Sequence, residues 1–205
     1  MRKIAFVMLF TIMPFSVADA DLITNGSFEL GIGWQDNVPL GSTGITGWTV
    51  TRANIDLVEW YWQPSDGERS LDLNGSPGVG GIAQAFATSP GQLYQVLFDQ
   101  AANPDLGARV SHMGVQAAGQ SAEYVFDCTG RTLDDMGWVT QTWQFTAVDT
   151  TTTLEFYSLD IGDAWKGPAL DNVIVTAISP VPIPGAVALG ALGLGAAGMR
   201  LRRHV

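Results

Sequence analysis

The hydrophobic residues of this chain recur in short runs with a period of two, and clusters of Gly, Pro, Asn, Asp and Thr separate these runs. Side chains of a strand alternate between the two faces of a sheet, whereas an amphipathic helix repeats every 3.6 residues. No convincing helical period occurs between the two ends of the chain. Because many short strands separated by turn signals favour an antiparallel sandwich, the pattern predicts an all-β domain.

Two of the clearest alternating segments are residues 82–86 and 93–98. The turn signal Pro90-Gly91 lies between them, so they predict a β-hairpin. Residues 171–175 form the last predicted strand, and no internal repeat or long linker interrupts the domain before about Ser179.

The first twenty residues have the features of a secretory signal peptide. Arg2 and Lys3 precede an apolar run over residues 4–17, and Ala18-Asp19-Ala20 has the small-x-small pattern of a cleavage site. We predict export and a mature chain that begins at Asp21. An uncleaved membrane anchor is the alternative, although the apolar run is short for a spanning helix.

Residues 21–180 contain 19 acidic and five basic side chains, a formal charge of −14. This charge repels phosphate backbones, so the composition excludes nucleic acid as a direct partner. It also offers carboxylates to divalent cations. The one cysteine, Cys128, precludes an intrachain disulfide; we expect a buried thiol, with pairing to another chain as the alternative.

Residues 180–205 contain a Pro-x-Pro motif at 182–184, a Gly/Ala/Leu stretch over 185–199 and three terminal arginines. This order resembles the PEP-CTERM sorting signal of Gram-negative bacteria, with Ile183 in place of the usual glutamate, as in a VPxP variant. The resemblance implies a transient inner-membrane anchor and processing by an exosortase-type enzyme after signal peptidase. A permanent C-terminal transmembrane helix is the alternative. The predicted domains are therefore 1–20, 21–179 and 180–205.

Five segments of the mature chain resemble the choice-of-anchor C family of exported bacterial proteins. They are residues 22–29, 45–50, 69–75, 81–84 and 167–173. That family is similar to a family of plant cell-wall proteins and, more distantly, to galactose-binding-like jelly-roll modules that bind carbohydrate. The resemblance implies a jelly-roll β-sandwich at the cell surface or in the extracellular matrix, without an established enzymatic activity.

Two carboxylates at opposite ends of the domain are candidate metal ligands. The first and last strands of a jelly roll commonly run close together, so Glu29 and Asp171 could meet, and two carboxylates with backbone carbonyls suit Ca²⁺. In jelly-roll modules with a similar opening and closing motif, such acids bind a structural calcium ion, and the resemblance implies this role for Glu29 and Asp171. The alternative is that both accept hydrogen bonds from turn amides.

The segment Trp60-Tyr61-Trp62 is the most conspicuous aromatic cluster. On a strand, Trp60 and Trp62 would share one face and could stack on a sugar ring. Neighbouring polar residues would then bind the sugar hydroxyls; these are Glu59, Gln63 and Asp66. Ordinary core packing is the alternative, and it is the expectation for the four tryptophans at positions 34, 48, 138 and 143.

A catalytic role has little support in the sequence. His112 is the one histidine of the mature domain, and Ser111 beside it would face the other side of a strand. We therefore predict a non-catalytic exported protein that binds extracellular polysaccharide. A structural or adhesive matrix protein that contacts other proteins is the alternative, and a carbohydrate-active enzyme is third.

Overall fold

The computed structural model describes residues 20–105, 107–162 and 165–179. These residues form eleven β-strands and no helix. The predicted sorting signal and nearly all of the predicted signal peptide lie outside the described residues. Within the described ranges, no helix has the length and apolar character needed to cross a membrane.

The strands pair into two antiparallel sheets. In chain order they are β1 (Gln35–Pro39), β2 (Thr49–Arg52), β3 (Asn54–Val58), β4 (Ser70–Asp72), β5 (Gly80–Ala87), β6 (Leu93–Ala102), β7 (Val110–Ala117), β8 (Gln120–Asp127), β9 (Val139–Thr146), β10 (Thr151–Ser158) and β11 (Pro168–Ala177). One sheet has the order β1-β3-β4-β11-β6-β9, and the other has the order β2-β5-β10-β7-β8. The predicted all-β antiparallel sandwich is confirmed.

The main core lies between the two sheets and is built from alternate residues of each strand. Val96 and Phe98 of β6 face inward, as the period of two predicts. The Phe98 ring packs against Phe156 of β10 at 4.9 Å between centroids, which joins one sheet to the other. Trp48 is buried beside Phe28, as expected for a core tryptophan.

The predicted hairpin of residues 82–86 and 93–98 is wrong. Strand β5 pairs with β2 and β10, whereas β6 pairs with β11 and β9, so the two strands belong to opposite sheets. The turn between them crosses the edge of the sandwich, and Phe86 meets Tyr94 edge-on across the core. Two strands with apolar faces can bury them side by side or face to face, and alternation alone does not distinguish these arrangements.

The start and the end of the domain lie side by side, as the sequence predicted. The Leu22 amide donates to the Val175 carbonyl at 2.8 Å, and the Val173 amide donates to the Gly26 carbonyl at 3.0 Å. A bulge at Asn172, whose φ is 49°, interrupts the pairing of β11 with β6. This bulge places Asp171 on the outer face while Val173 and Val175 still face the core.

The outer face of the six-stranded sheet carries a row of buried aspartates. Four neighbouring strands contribute one each: Asp56 on β3, Asp72 on β4, Asp171 on β11 and Asp99 on β6. The loop of residues 59–69, between β3 and β4, covers part of this face. Beneath the loop, Trp62 packs with Val58, Ala101 and Ala169 in a second, smaller apolar cluster. The 59–69 loop and the aspartates of β3 and β4 border a cleft on this face.

Candidate functional site

A cleft of about 250 Å³ lies on the outer face of the six-stranded sheet, where β3 and β4 meet the loops. Asp56 and Asp72 line it from adjacent strands, and the aromatic rings of Trp34, Tyr61 and Trp165 line it from three separate loops. The other lining residues are Asp36, Asn37, Val58, Trp62, Asn103 and Asp105. The cleft, which we call the aromatic cleft, combines flat apolar rings with oxygen and amide groups.

The aromatic rings are accessible to a ligand. Trp34 is 42% exposed and Trp165 is 61% exposed, although large aromatic side chains are usually well covered. Trp60, 69% exposed, packs against Trp34 with 4.9 Å between ring centroids and extends the aromatic surface beyond the cleft. The Tyr61 hydroxyl donates to Oδ2 of Asp105 at 2.8 Å, which fixes the ring at the entrance.

Asp56 and Asp72 lie directly opposite each other in the pairing of β3 with β4. Burial raises the pKa of Asp56 to about 6, against a hydrogen bond from the Asn37 amide that lowers it, and Asp36 raises it further. Burial also raises the pKa of Asp72 to about 7, although three hydrogen bonds lower it, and the charge of Asp56 adds to the increase. Near neutral pH a fraction of these two carboxyl groups therefore keeps its proton.

Asn103 connects the residues around Asp72. Its Nδ2 donates to Oδ2 of Asp72 at 3.1 Å and to the Trp165 carbonyl at 2.8 Å, and its Oδ1 accepts from the Asp105 amide at 3.0 Å. The Gly167 amide donates to Oδ1 of Asp72 at 2.7 Å, and a Cβ at position 167 would collide with that oxygen. The Asn103 side chain, directly after β6, thus links Asp72 to the loop that carries Trp165 and to the backbone of Asp105.

The structure separates the two tryptophans of the predicted aromatic platform. Strand β3 ends at Val58, so residues 60–62 are not on a strand, and the expectation that Trp60 and Trp62 share a face is wrong. Trp62 is buried and its Nε1 donates to Oγ of Ser70 at 2.7 Å, whereas Trp60 points into solvent. Trp62 can be buried in the apolar cluster below the loop because Ser70 accepts a hydrogen bond from its indole N–H.

The three predicted polar ligand-binding residues lie at different places around the loop. Glu59 accepts from Arg69 at 2.9 Å and from the Trp34 amide at 3.4 Å, so it supports the cleft from behind. The side chains of Gln63 and Asp66 are exposed, and their backbone amides donate to other parts of the domain. None of the three lines the aromatic cleft. A ligand-binding role for these residues stays a prediction.

Glu29 and Asp171 both hold the 59–69 loop through its amides. Oε1 of Glu29 accepts from the amides of Glu68 and Arg69 at 2.8 and 2.9 Å. Oδ2 of Asp171 accepts from the amides of residues 65 and 66, and burial raises its pKa to about 7. These contacts match the turn-amide alternative.

The pair does not fit a calcium ion well, because the N–H groups that point at these oxygens present positive charge to them. Across the described ranges, no group of three or more His, Cys, Asp or Glu side chains could hold a metal ion. Calcium binding by Glu29 and Asp171 stays a prediction that none of their contacts supports.

Sequence reasoning missed most of the cleft. The prediction of core packing is wrong for Trp34, whose ring is exposed, and no pattern in the sequence singles out Trp165. Asp56 and Asp72 carried a usable signal, because each alternates with buried leucine or isoleucine and so must point away from the main core. That two such strands are neighbours, with Asn103 beside them, depends on contacts between distant segments.

The histidine region does not form a nucleophilic triad. Asp160 lies between the other two groups: Oγ of Ser111 donates to one of its oxygens, and Nδ1 of His112 lies 3.1 Å from the other. A triad requires the imidazole to contact the hydroxyl directly. The carboxyls with raised pKa values in the cleft have no hydrogen bond to His112 within the described part of the chain.

Comparison with known proteins gives a family and a fold. The family described as "Protein of unknown function (DUF642)" matches residues 21–176. Halomucin of Haloquadratum walsbyi is 33% identical over 191 residues, which cover 87% of this chain and 2% of halomucin. The chain thus spans about 2% of the length of this curated relative.

Two solved structures are similar to the described domain. One is TmCBM61 in complex with β-1,4-galactotriose, with a TM-score of 0.50, 15% identity, and coverage of 78% of this chain and 99% of that one. The other is the CBM22-1–CBM22-2 tandem domain of Xyn10C from Paenibacillus barcinonensis, with a TM-score of 0.51 and 16% identity. It is matched over 82% of this chain and 49% of that one. These likenesses show the jelly-roll fold that the sequence predicted.

Proposed function

We propose, from the premise that this chain belongs to the DUF642 family, that it is an exported, non-catalytic protein that binds polysaccharide in the aromatic cleft. The proposal moves the binding site from the predicted Trp60 and Trp62 pair to the rings of Trp34, Tyr61 and Trp165. Trp60 remains an extension of this surface through its contact with Trp34.

One observation carries the proposal: exposed aromatic rings surround buried carboxylate and amide groups in a single open cleft. A pyranose ring has apolar C–H faces that pack on flat rings and a rim of hydroxyls that need hydrogen-bond partners. The rings of Trp34 and Trp165 can pack on the C–H faces of the sugar, and Oδ2 of Asp56 can accept a hydrogen bond from a hydroxyl. An apolar ligand would leave these polar groups unpaired.

The similar structures support the same class of ligand. One of them was solved with bound β-1,4-galactotriose, and both are carbohydrate-binding modules by name. Sequence identity near 15% carries the fold and not the ligand, so the identity of the sugar must come from the residues of this cleft.

Export and surface location are part of the proposal. The basic and apolar start of the chain, and the motif order of residues 180–205, support passage across the inner membrane and transient anchoring there. The family match begins at residue 21, the position at which the mature chain is predicted to start.

A binding screen on the purified full-length chain tests the proposal. Neutral and charged oligosaccharides are titrated calorimetrically against wild type, Trp34→Ala and Trp165→Ala. Because stacking on each ring contributes to affinity, we expect each substitution to weaken binding by about tenfold or more. Val148→Ala is the matched control, since Val148 is an exposed apolar side chain in the turn between β9 and β10, at the other end of the sheet.

Three outcomes of the screen would count against the proposal. Equal losses in the Val148 control would indicate a non-specific effect, and absence of binding to every glycan would reject it. Release of new reducing ends from a bound glycan would favour the enzyme alternative, with Asp56 and Asp72 as its pair of carboxyl groups.

The adhesive alternative depends on an open sheet edge. Strands β8 and β9 are the outer strands on one side of the two sheets, and side chains link them: Gln120 exchanges two hydrogen bonds with the backbone of Thr146, and the Tyr124 hydroxyl donates to the Thr142 carbonyl at 2.7 Å. Part of the β9 edge is therefore occupied within the chain. This favours glycan binding over self-association through that edge.

A further inference from the structure

The aromatic cleft has a one-sided charge. Four aspartates line it: Asp36, Asp56, Asp72 and Asp105. No Lys, Arg or His is among its lining residues in the described part of the chain. Arg69, in the loop that covers part of this face, is paired with Glu59 at 2.9 Å. The charged side chains that a ligand meets on the cleft lining are therefore all carboxyl groups.

Two of these aspartates are held in an arrangement that costs stability. Asp56 and Asp72 occupy directly opposed positions on adjacent strands, where like charges are destabilising. Both are more than nine-tenths buried. Hydrogen bonds from Asn74, Gly167 and Asn103 stabilise Asp72 within the chain, whereas Asp56 accepts one hydrogen bond, from Asn37. A cation beside Asp56 would relieve the repulsion between the two carboxyl groups.

Asp56 also has an unused oxygen. Its Oδ1 accepts the Asn37 amide at 2.6 Å, but its Oδ2 accepts no hydrogen bond from any residue that the structure describes. The side chain is 8% exposed and lines the cleft. Oδ2 is not one of the fully buried unpaired polar atoms of the described residues, so it is open to the cleft and a donor supplied by the ligand can reach it.

The groups around this oxygen suit an organic cation better than a metal ion. The described residues contain no cluster of three metal-ligating side chains. The cleft instead adds the rings of Trp34, Tyr61 and Trp165, and aromatic faces attract ammonium groups. Carboxylates together with aromatic faces bind an ammonium group through charge, hydrogen bonds and cation–π contacts at once.

We propose that the glycan bound in the aromatic cleft is a polymer of amino sugars with free amino groups, with an ammonium placed against Oδ2 of Asp56. This inference rests on the proposed function and narrows its ligand class. Polysaccharides rich in uronate or sulfate are excluded from the cleft by the same charges.

A matched pair of ligands tests the proposal. Glucosamine oligomers and N-acetylglucosamine oligomers of equal length share their ring faces and differ in the ammonium. They are titrated against the full-length chain by calorimetry at a pH slightly below neutral, where the free amine carries its proton. We expect the glucosamine oligomer to bind about tenfold more tightly, because its ammonium can form a charged hydrogen bond with Asp56. In the N-acetylglucosamine oligomer a neutral amide replaces this ammonium. Added salt is expected to reduce this advantage.

The variant Asp56→Asn separates charge from shape. It keeps an oxygen for the Asn37 amide and removes the negative charge, so we expect it to lose most of the preference for glucosamine. Asp149→Asn is the matched control. Asp149 is exposed in the turn between β9 and β10, so this substitution removes the same charge far from the cleft. The control is expected to keep the preference.

The outcomes distinguish this inference from the proposed function. Equal affinity for both oligomers, or an unchanged preference in Asp56→Asn, would overturn the amino-sugar inference and leave glycan binding intact. Absence of binding to either oligomer and to all neutral glycans would reject both. Binding of poly-lysine as tight as that of the glucosamine oligomer would overturn the sugar assignment and indicate a basic protein partner.

Discussion

Among single residues, Asp56 lowers the stability of the folded chain when its carboxyl group is charged. Its carboxyl group accepts one hydrogen bond, from the Asn37 amide. Asp72 lies directly opposite it on the neighbouring strand, so two like charges are close together. Its pKa is 3.8 in an ordinary environment and about 6 in the folded chain, mainly because burial removes water from the carboxylate. The folded state therefore binds this proton more tightly than the unfolded state does.

Stability should consequently fall as the pH rises through the range between these two values. In this pH range Asp56 of wild type loses its proton, and the free energy of unfolding decreases. The variant Asp56→Asn has no proton to lose at this position, so its stability does not change for this reason. We expect equal stability of the two proteins near about pH 4 and an advantage of about 1–3 kcal/mol for the variant above about pH 7. Urea unfolding followed by tryptophan fluorescence at several pH values measures the difference. A variant less stable than wild type at high pH would contradict this account.

The two predicted platform tryptophans show how burial divides residues of one type. Trp62 lies against Val58 and Ala169 and donates to Ser70, so it belongs to the second apolar cluster. Trp60 is exposed and contacts Trp34. A loss of binding in a Trp62 variant would thus report the state of the loop, whereas substitutions at Trp34 and Trp165 report the ligand surface.

At the scale of elements, the 59–69 loop is fixed by carboxylates from outside it. Glu29 holds the amides of residues 68 and 69, and Asp171 holds those of 65 and 66. Arg69 returns two hydrogen bonds to the carbonyls of Glu29 and Ile32. The loop that carries Tyr61 and Trp62 is therefore anchored to both ends of the domain.

We predict that Glu29→Ala frees the loop without unfolding the sandwich. The amides of Glu68 and Arg69 should exchange with deuterium faster by about tenfold or more, because each loses a charged acceptor. Hydrogen exchange read by mass spectrometry or NMR measures this, with core amides such as that of Phe98 as internal reference.

The same measurement tests the calcium prediction for Glu29 and Asp171. If the carboxylates act through amides, a calcium chelator should leave the exchange of the 59–69 loop in wild type unchanged. A large increase on chelation, reversed by added calcium, would establish the metal site instead.

At the scale of the whole molecule, the first residue of the predicted mature chain has a structural role. Oδ1 of Asp21 accepts from the amides of Ile23 and Val175, at 3.0 and 2.9 Å. The N-terminal segment is thereby attached to β11, which lies near the centre of its sheet. A chain shortened beyond this residue would lose an attachment between the two ends of the domain.

We therefore predict that the exported protein begins at Asp21. Mass spectrometry of the protein recovered after expression in a Gram-negative host measures the N-terminus. Ala18→Leu and Ala20→Leu, which remove the small residues of the cleavage site, should cause the precursor to accumulate. An N-terminus several residues after Asp21, or an uncleaved mature form in wild type, would contradict the prediction.

Local alternation in the sequence is enough to predict the class of fold and the two faces of its strands. Alternation at Val96 and Phe98, or at Leu154 and Phe156, is sufficient to place these side chains in a core, because a strand has only two faces. The same alternation marks Asp56 and Asp72 as residues that point outward. The resemblance of the chain to jelly-roll modules also predicted, correctly, that the first and last segments of the domain lie side by side.

Tertiary structure alone decided which strands are neighbours and what the loops cover. The hairpin expected at Pro90-Gly91 became a crossing between sheets, since face-to-face packing buries the same residues. The cleft joins Trp34, Asp56, Asn103 and Trp165, which are far apart in the chain and come together through sheet order and side-chain hydrogen bonds. Local patterns fix the direction of a side chain, whereas a binding site is a set of non-local contacts that depends on how the whole domain packs.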